Sequence, residues 1–66
     1  MFTKISEALN REVNSFDDLS NQDLDFIENK IFSLLNELDN TENKNQIINN
    51  LILYNQVYNF MIENGF

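Results

Sequence analysis

The chain of 66 residues contains no cysteine, histidine, proline or tryptophan, and only one glycine. Without cysteine it cannot form disulfides, and without cysteine or histidine it cannot form the usual zinc sites. The same absences remove the commonest general base and the strongest nucleophile, and a single glycine leaves no glycine-rich phosphate loop. The composition therefore predicts a protein that is not an enzyme and that holds no metal or cofactor.

Basic residues are also scarce, since four Lys and Arg face 11 Asp and Glu and give a net charge of −7. Direct binding to nucleic acid or to an anionic membrane is disfavoured, because both rely on Lys and Arg. A protein with a basic surface is the favoured partner. The segment Met1–Leu9 lacks the apolar stretch of a signal peptide, and the longest apolar run, Leu51–Tyr54, is too short to span a bilayer. We expect a cytoplasmic protein, in the host cytoplasm if it is encoded by a phage.

No proline or glycine interrupts the chain before Asn64, and the alternation typical of strands is missing. Apolar residues recur instead at steps of three and four, which indicates helices. The sequence predicts a single all-α domain over residues 1–66. It comprises a shorter N-terminal helix at about 4–14 and a long antiparallel hairpin of helices at about 21–39 and 43–64.

Two local signals predict where the hairpin begins and ends. Ser20 and Asp23 have the spacing of a capping box, which favours a helix starting at Asn21. The single glycine, Gly65, lies where a left-handed residue would end the last helix, and Phe66 could then fold back on Met61.

The last predicted helix is apolar around most of its circumference. One stripe predicts ordinary core and contains Ile47, Leu51, Tyr54, Tyr58 and Met61. A second set, Leu53, Val57 and Phe60, lies well round from the first, so one neighbouring helix cannot cover both. This set is either core beneath the N-terminal helix or the interface with a partner or a second copy. A small chain without a disulfide or metal favours the second copy, and we expect a homodimer.

Five carboxylates lie close together in the sequence without a basic residue among them: Asp17, Asp18, Asp23, Asp25 and Glu28. The first explanation of this cluster is structural: acidic residues cap helix starts, and the others form a solvated helix face. A docking surface for a basic partner explains it in another. A third alternative is a calcium-binding loop, because the cluster has the length of an EF-hand loop, but Leu19 replaces an oxygen ligand and Gln22 replaces the required glycine.

These features predict a small acidic helical module that binds another protein stoichiometrically. The abundance of Asn beside Ile is a bias that we associate with AT-rich genomes, including those of many phages. The specific hypothesis is an inhibitor of a host or defence protein, whose acidic patch occupies a basic surface as nucleic acid would. The alternative is a homodimeric structural or regulatory adaptor that binds through the apolar face of the last helix.

Overall fold

A helical hairpin forms most of the protein in the computed structural model, which describes residues Met1–Phe66. Helix α1 spans Phe2–Leu9, a 3₁₀ turn spans Phe16–Asp18, α2 spans Asn21–Leu38 and α3 spans Lys44–Glu63. Helices α2 and α3 pack most closely, and α1 lies against both. The result is an elongated all-α body of 38 × 18 × 17 Å, which confirms the predicted fold class.

The two hairpin helices begin and end within one residue of the predicted positions. Ser20 and Asp23 form the expected capping box, in which the Ser20 backbone N–H donates to the Asp23 carboxylate at 2.9 Å. At the other end of α2, the Lys44 ammonium donates to the carbonyl oxygen of Leu38 at 2.7 Å. Both contacts satisfy backbone groups that a helix end leaves unpaired, so the boundaries follow from local chemistry.

Helix α1 is shorter than predicted, because it ends at Leu9 and not near residue 14. Asn10 adopts the left-handed conformation with φ 55°. The backbone N–H of Arg11 then donates to the carbonyl of Ser6 at 3.2 Å, which closes the last turn. Asparagine tolerates this conformation better than most residues, so a helix can end here without a glycine.

The segment after α1 explains why its periodicity misled the prediction. Val13 is fully buried although it lies outside any helix, and its backbone N–H donates to the Ser6 hydroxyl at 2.9 Å. Phe16, in the 3₁₀ turn, packs against the same core. Both residues therefore continue the apolar spacing of α1 without belonging to a helix.

The main core lies where α1, the 3₁₀ turn and the hairpin meet. Its buried members are Ile5, Ala8, Val13, Leu19, Ile27, Val57 and Met61. Four phenylalanine rings cover one side of it. The ring centroid of Phe16 lies 5.2 Å from that of Phe2, 5.4 Å from that of Phe60 and 6.2 Å from that of Phe66. These separations fall in the range of favourable aromatic pairs.

Gly65 ends α3 with φ 97°, which confirms the predicted left-handed cap. Its N–H donates to the carbonyl oxygen of Ile62 at 3.2 Å, and the N–H of Phe66 donates to the carbonyl oxygen of Met61 at 3.0 Å. This pair of bonds defines a Schellman motif. The motif turns Phe66 back onto the core, as predicted.

Candidate protein-binding surface

The five carboxylates predicted as an acidic patch lie in the 3₁₀ turn and the first turns of α2, but they do not share one environment. Asp23 is engaged by a basic residue that the sequence prediction did not include. The Arg11 guanidinium donates from Nη1 to Oδ1 at 2.9 Å and from Nη2 to Oδ2 at 2.8 Å. Such a bidentate pair fixes both partners. The Asp23 side chain is only 14% exposed, so it belongs to the internal structure of this end of the molecule.

The pKa of Asp23 lies below its ordinary value, mainly because of the hydrogen bonds from Arg11. The Ser20 backbone N–H that caps α2 lowers it further. The pKa of Arg11 is raised by the same hydrogen bonds and by the charge of Asp23. Asp23 is therefore ionised, and its carboxylate caps α2 and forms the ion pair with Arg11.

Asp18 also forms hydrogen bonds within this end of the protein. Its carboxylate accepts the backbone N–H of Asn14 at 3.0 Å, and its carbonyl oxygen accepts a hydrogen bond from Arg11 Nη2 at 2.9 Å. These contacts join the irregular segment after α1 to the 3₁₀ turn. Arg11 thus connects the segment after α1, the 3₁₀ turn and the start of α2. The sequence prediction missed this role because it placed Arg11 within α1.

The remaining three carboxylates, Asp17, Asp25 and Glu28, have no hydrogen-bond or ion-pair partner within the chain, in contrast to Asp18 and Asp23. Asp17 and Asp25 are exposed and Glu28 is half-buried. Asp25 follows Asp23 by two residues, so the two project from opposite sides of α2, about 160° apart. The predicted patch therefore divides into a structural part, Asp18 and Asp23, and three carboxylates that are free to meet an external cation. We call these three the free acidic set.

Asn21–Glu28 forms the first two turns of α2 and not the loop that the calcium alternative requires. No group of three or more acidic side chains is arranged to hold a metal ion.

The second predicted site lies mostly inside the protein. Val57 is fully buried in the main core, and the half-buried Leu53 and Phe60 pack against that core. The ring of Phe60 meets Phe2 of α1 at a centroid separation of 5.9 Å. The prediction of an open interface on this side of α3 is corrected accordingly, because α1 covers it. Packing beneath the N-terminal helix, the alternative that the sequence left open, is the arrangement in the structure.

Most of the acidic charge is not neutralised within the chain, because Arg11–Asp23 is its one ion pair. Two of the other cations make contacts with neutral groups: Lys4 donates to the Gln56 amide at 2.9 Å and Lys44 to a backbone carbonyl. The structure has no detectable cavity or cleft. None of its helices combines the length and the apolar character needed to cross a membrane.

Comparison with known proteins adds no family to this description. No protein-family model matches the chain, and no curated protein or solved structure is significantly similar to it.

Proposed function

We propose that this chain is a small acidic helical module that binds one protein partner stoichiometrically and inhibits it. The partner presents a basic surface, such as the nucleic-acid or effector site of a host or defence protein. The carboxylates of the module occupy the positions that phosphates would take. A phage genome as the source of this chain is part of the same proposal.

The observation that carries this proposal is the free acidic set, Asp17, Asp25 and Glu28. The chain does not compensate these charges itself. Asp25 and Glu28 are three residues apart on α2, so their side chains are neighbours on the helix surface and one basic surface can contact both. Because both project from a regular helix, little backbone ordering is needed when a partner binds.

The net charge of −7 supports the same proposal at longer range. A strongly acidic molecule is steered towards a basic surface, which speeds the encounter of the two proteins. Salt screens this attraction over about 10 Å at 0.1 M ionic strength. Binding that depends on the free acidic set should therefore weaken as salt is added.

A matched pair of variants tests the proposal. The first, Asp17→Asn with Asp25→Asn and Glu28→Gln, removes the free acidic set and leaves Asp18 and Asp23 in their structural contacts. The control, Glu37→Gln with Asp39→Asn and Glu42→Gln, removes three exposed carboxylates around the hairpin loop. Each variant changes the net charge from −7 to −4, so they differ in position and not in charge.

Each protein is immobilised and exposed to the heparin-binding fraction of a bacterial lysate, which is enriched in proteins with basic surfaces. We expect the wild type and the control to retain the same basic protein and the first variant to lose it. Isothermal titration of that protein should give a stoichiometry of one partner per acidic site. Equal retention by all three proteins, or retention of no basic protein by the wild type, contradicts the proposal.

Competition distinguishes mimicry of nucleic acid from other modes of acidic binding. A fluorescent DNA duplex bound to the captured protein should be displaced by the wild-type chain and by the control variant. The variant without the free acidic set should displace it poorly. If the partner binds DNA and the chain simultaneously, the mimicry is wrong even though the two proteins bind each other.

A further inference from the structure

Two members of the free acidic set continue into an apolar surface on the same side of α2. The residues of this surface follow one another at steps of three, four and three: Asp25, Glu28, Phe32 and Leu35. They fall within an arc of about 80° and extend about 15 Å along the helix. Phe32 and Leu35 are 58% and 46% exposed, although both side chains are large and apolar. We call these four residues the α2 row.

The α2 row faces away from the side of α2 on which the N-terminal segment packs. The carboxylate of Asp23 holds Arg11 of that segment, and Asp23 lies about 180° around α2 from Phe32. The same residue lies about 140° around α2 from Glu28. The α2 row is therefore on the open side of the hairpin.

Helix α3 adds an apolar residue on this open side. Ile48 is 43% exposed and lies in the second turn of α3, while Leu35 lies in the last turn of α2, so the connecting loop places the two at the same level. Ile48 lies about 120° around α3 from Phe60, whose ring meets Phe2 of α1. Both hairpin helices therefore contribute apolar surface that α1 does not cover.

At its first end, the α2 row carries charge that the chain does not compensate. Asp25 and Glu28 form no ion pair. Lys30, the nearest cation along α2, lies about 140° around the helix from Asp25 and about 160° from Glu28. Compensation of this acidic end therefore requires a cation from outside the chain.

The other end of the α2 row differs, because a cation of the chain already lies there. Asp39 follows Leu35 by one turn and is the C-cap of α2. The Lys44 ammonium donates to the adjacent carbonyl oxygen, that of Leu38, at 2.7 Å. The uncompensated charge of the open side is therefore concentrated at the acidic end, and Phe32 and Leu35 lie next to it.

We propose that the α2 row and Ile48 bind an amphipathic α-helix of the basic partner. Lys or Arg side chains of that helix meet the acidic end, and its apolar side chains pack on Phe32 and Leu35. The inference rests on the proposed function, because it assigns the element of the basic partner that contacts the free acidic set.

Charge and shape select this occupant. A second copy of the chain has a net charge of −7 and brings carboxylates to a face that already carries uncompensated ones. The structure has no cavity for a small molecule. The exposed side of two neighbouring helices instead accepts a third helix, whose side chains pack as ridges into grooves. A basic helix with an apolar side complements both the charge and the apolar surface of this face.

The two parts of the α2 row should affect binding differently. The carboxylates attract the partner over a distance and make the affinity depend on salt. The apolar side chains act only in contact, where a few buried anchors carry most of the binding energy. Removal of Phe32 or Leu35 should therefore lower the affinity without changing its salt dependence.

Synthetic peptides of about 18 residues, which extend about 27 Å as helices, serve as probes. In the first peptide, leucine recurs at steps of three and four on an alanine helix, and arginine occupies the last two turns, where cations stabilise a helix. The second peptide has the same composition, but its leucines are distributed around the helix. Fluorescence anisotropy of the labelled peptides should show about tenfold tighter binding of the first peptide to the wild-type chain.

Substitutions separate the apolar part of the α2 row from the acidic part. Phe32→Gln and Leu35→Gln should each weaken binding of the first peptide about tenfold, with the salt dependence of the wild type. Phe26→Gln is the matched control, because Phe26 is 48% exposed on α2 but lies about 120° around the helix from Phe32. Circular dichroism of each variant should show wild-type helicity, because all three positions are exposed.

Equal affinity of the wild type for the two peptides overturns the inference, and so does a failure to bind either. Phe32→Gln and Leu35→Gln variants that bind the first peptide as tightly as Phe26→Gln also overturn it. The proposed function survives these results if the variant without the free acidic set still loses the captured basic protein. Retention of that protein by this variant contradicts the proposed function itself, so the two failures are distinguishable.

NMR of the isotope-labelled wild-type chain locates the contact. The first peptide should shift the backbone amide signals of Phe32, Leu35 and Ile48 and leave those of α1 unchanged. Shifts confined to α1 overturn the assigned face. Sedimentation equilibrium without peptide tests the other occupant, because a dimer that Phe32→Gln dissociates would mean that a second copy covers this face and would overturn the proposal.

Discussion

At the scale of single residues, Asp23 stabilises this end of the protein in two ways. It accepts the Ser20 backbone N–H that caps α2, and it accepts two hydrogen bonds from Arg11, which arrives from the segment after α1. The same guanidinium donates to the carbonyl oxygen of Asp18. One carboxylate and one guanidinium therefore join three consecutive pieces of chain. This explains why the acidic residues at this end cannot all be treated as a binding surface.

The depressed pKa of Asp23 makes a pH-dependent contribution to folding. Its ordinary value is 3.8 and its folded value is lower, so the stabilisation is fully present above pH 3.8 and is lost as the pH falls through the folded value. Carbon-detected NMR should show Asp23 titrating below the ordinary value. Arg11→Gln should move its pKa upwards. An Asp23 pKa that is unchanged by this substitution contradicts the assigned ion pair.

Ser20→Ala tests the side-chain half of the capping box of α2. Loss of a serine N-cap typically costs about 1 kcal/mol, which corresponds to roughly 4–8 °C in the melting temperature of a domain of this size. Thermal unfolding followed by circular dichroism measures the effect. Ser33→Ala, at an exposed position within α2, is the control and should be neutral or slightly stabilising. Equal melting temperatures for the two variants would mean that the Ser20 hydroxyl contributes nothing to the cap, because the bond from the Ser20 backbone N–H to Asp23 survives the substitution.

At the scale of elements, two left-handed residues end two of the helices. Gly65 at the end of α3 was predictable, because glycine is the usual residue there. Asn10 at the end of α1 was not, because the apolar spacing continues through Val13 and Phe16. Periodicity identifies residues that reach the core, but it does not distinguish a helix from an irregular segment that reaches the same core.

Substitutions at Asn10 test this account of the end of α1. Asn10→Ala should destabilise the protein by about 1 kcal/mol, because a β-carbon without a compensating polar group is strained in the left-handed region. Asn10→Gly should be tolerated, because glycine adopts this conformation freely. Chemical denaturation of both variants gives the comparison. If Asn10→Ala is the more stable of the two, α1 continues beyond Leu9 in solution.

The hairpin was the most predictable part of the fold. The residues at the ends of its two helices favour helix starts and stops, and their apolar spacing indicates which side is buried. The candidate site was less predictable. The sequence identified Asp17, Asp25 and Glu28 as candidates because they are acidic. Whether a carboxylate lacks a hydrogen-bond or ion-pair partner depends on residues distant in the chain, which the sequence alone does not place. Arg11 became such a partner only because α1 ends early.

At the scale of the whole molecule, charge is distributed unevenly between the helices. Ten of the 11 acidic residues precede α3, which is uncharged from Asn45 to Ile62 and carries the eleventh, Glu63, as its last residue. On α3, one apolar side lies beneath α1, and part of the other, with Ile48 and Ile52, is exposed. This distribution leaves α3 to contribute apolar surface and the rest of the chain to contribute most of the charge.

A pair of aspartate substitutions distinguishes the covered side of α3 from its open side. Val57→Asp should lose most of the helical signal in circular dichroism, because an unpaired charge would be placed in a fully buried position. Ile62→Asp should keep the fold, because Ile62 is an exposed residue of the same helix. A Val57→Asp variant that is fully helical and merely loses association would restore the interface predicted for Leu53, Val57 and Phe60.

The most direct test of the proposed function is the salt dependence of affinity for the captured basic protein, measured with the wild type and the two charge-matched variants. The proposal predicts that the wild type and the variant altered at Glu37, Asp39 and Glu42 lose affinity steeply between low and physiological salt. The variant altered at Asp17, Asp25 and Glu28 should bind weakly and depend little on salt. Equal affinities and equal salt slopes for all three proteins would contradict an acidic binding surface at the start of α2.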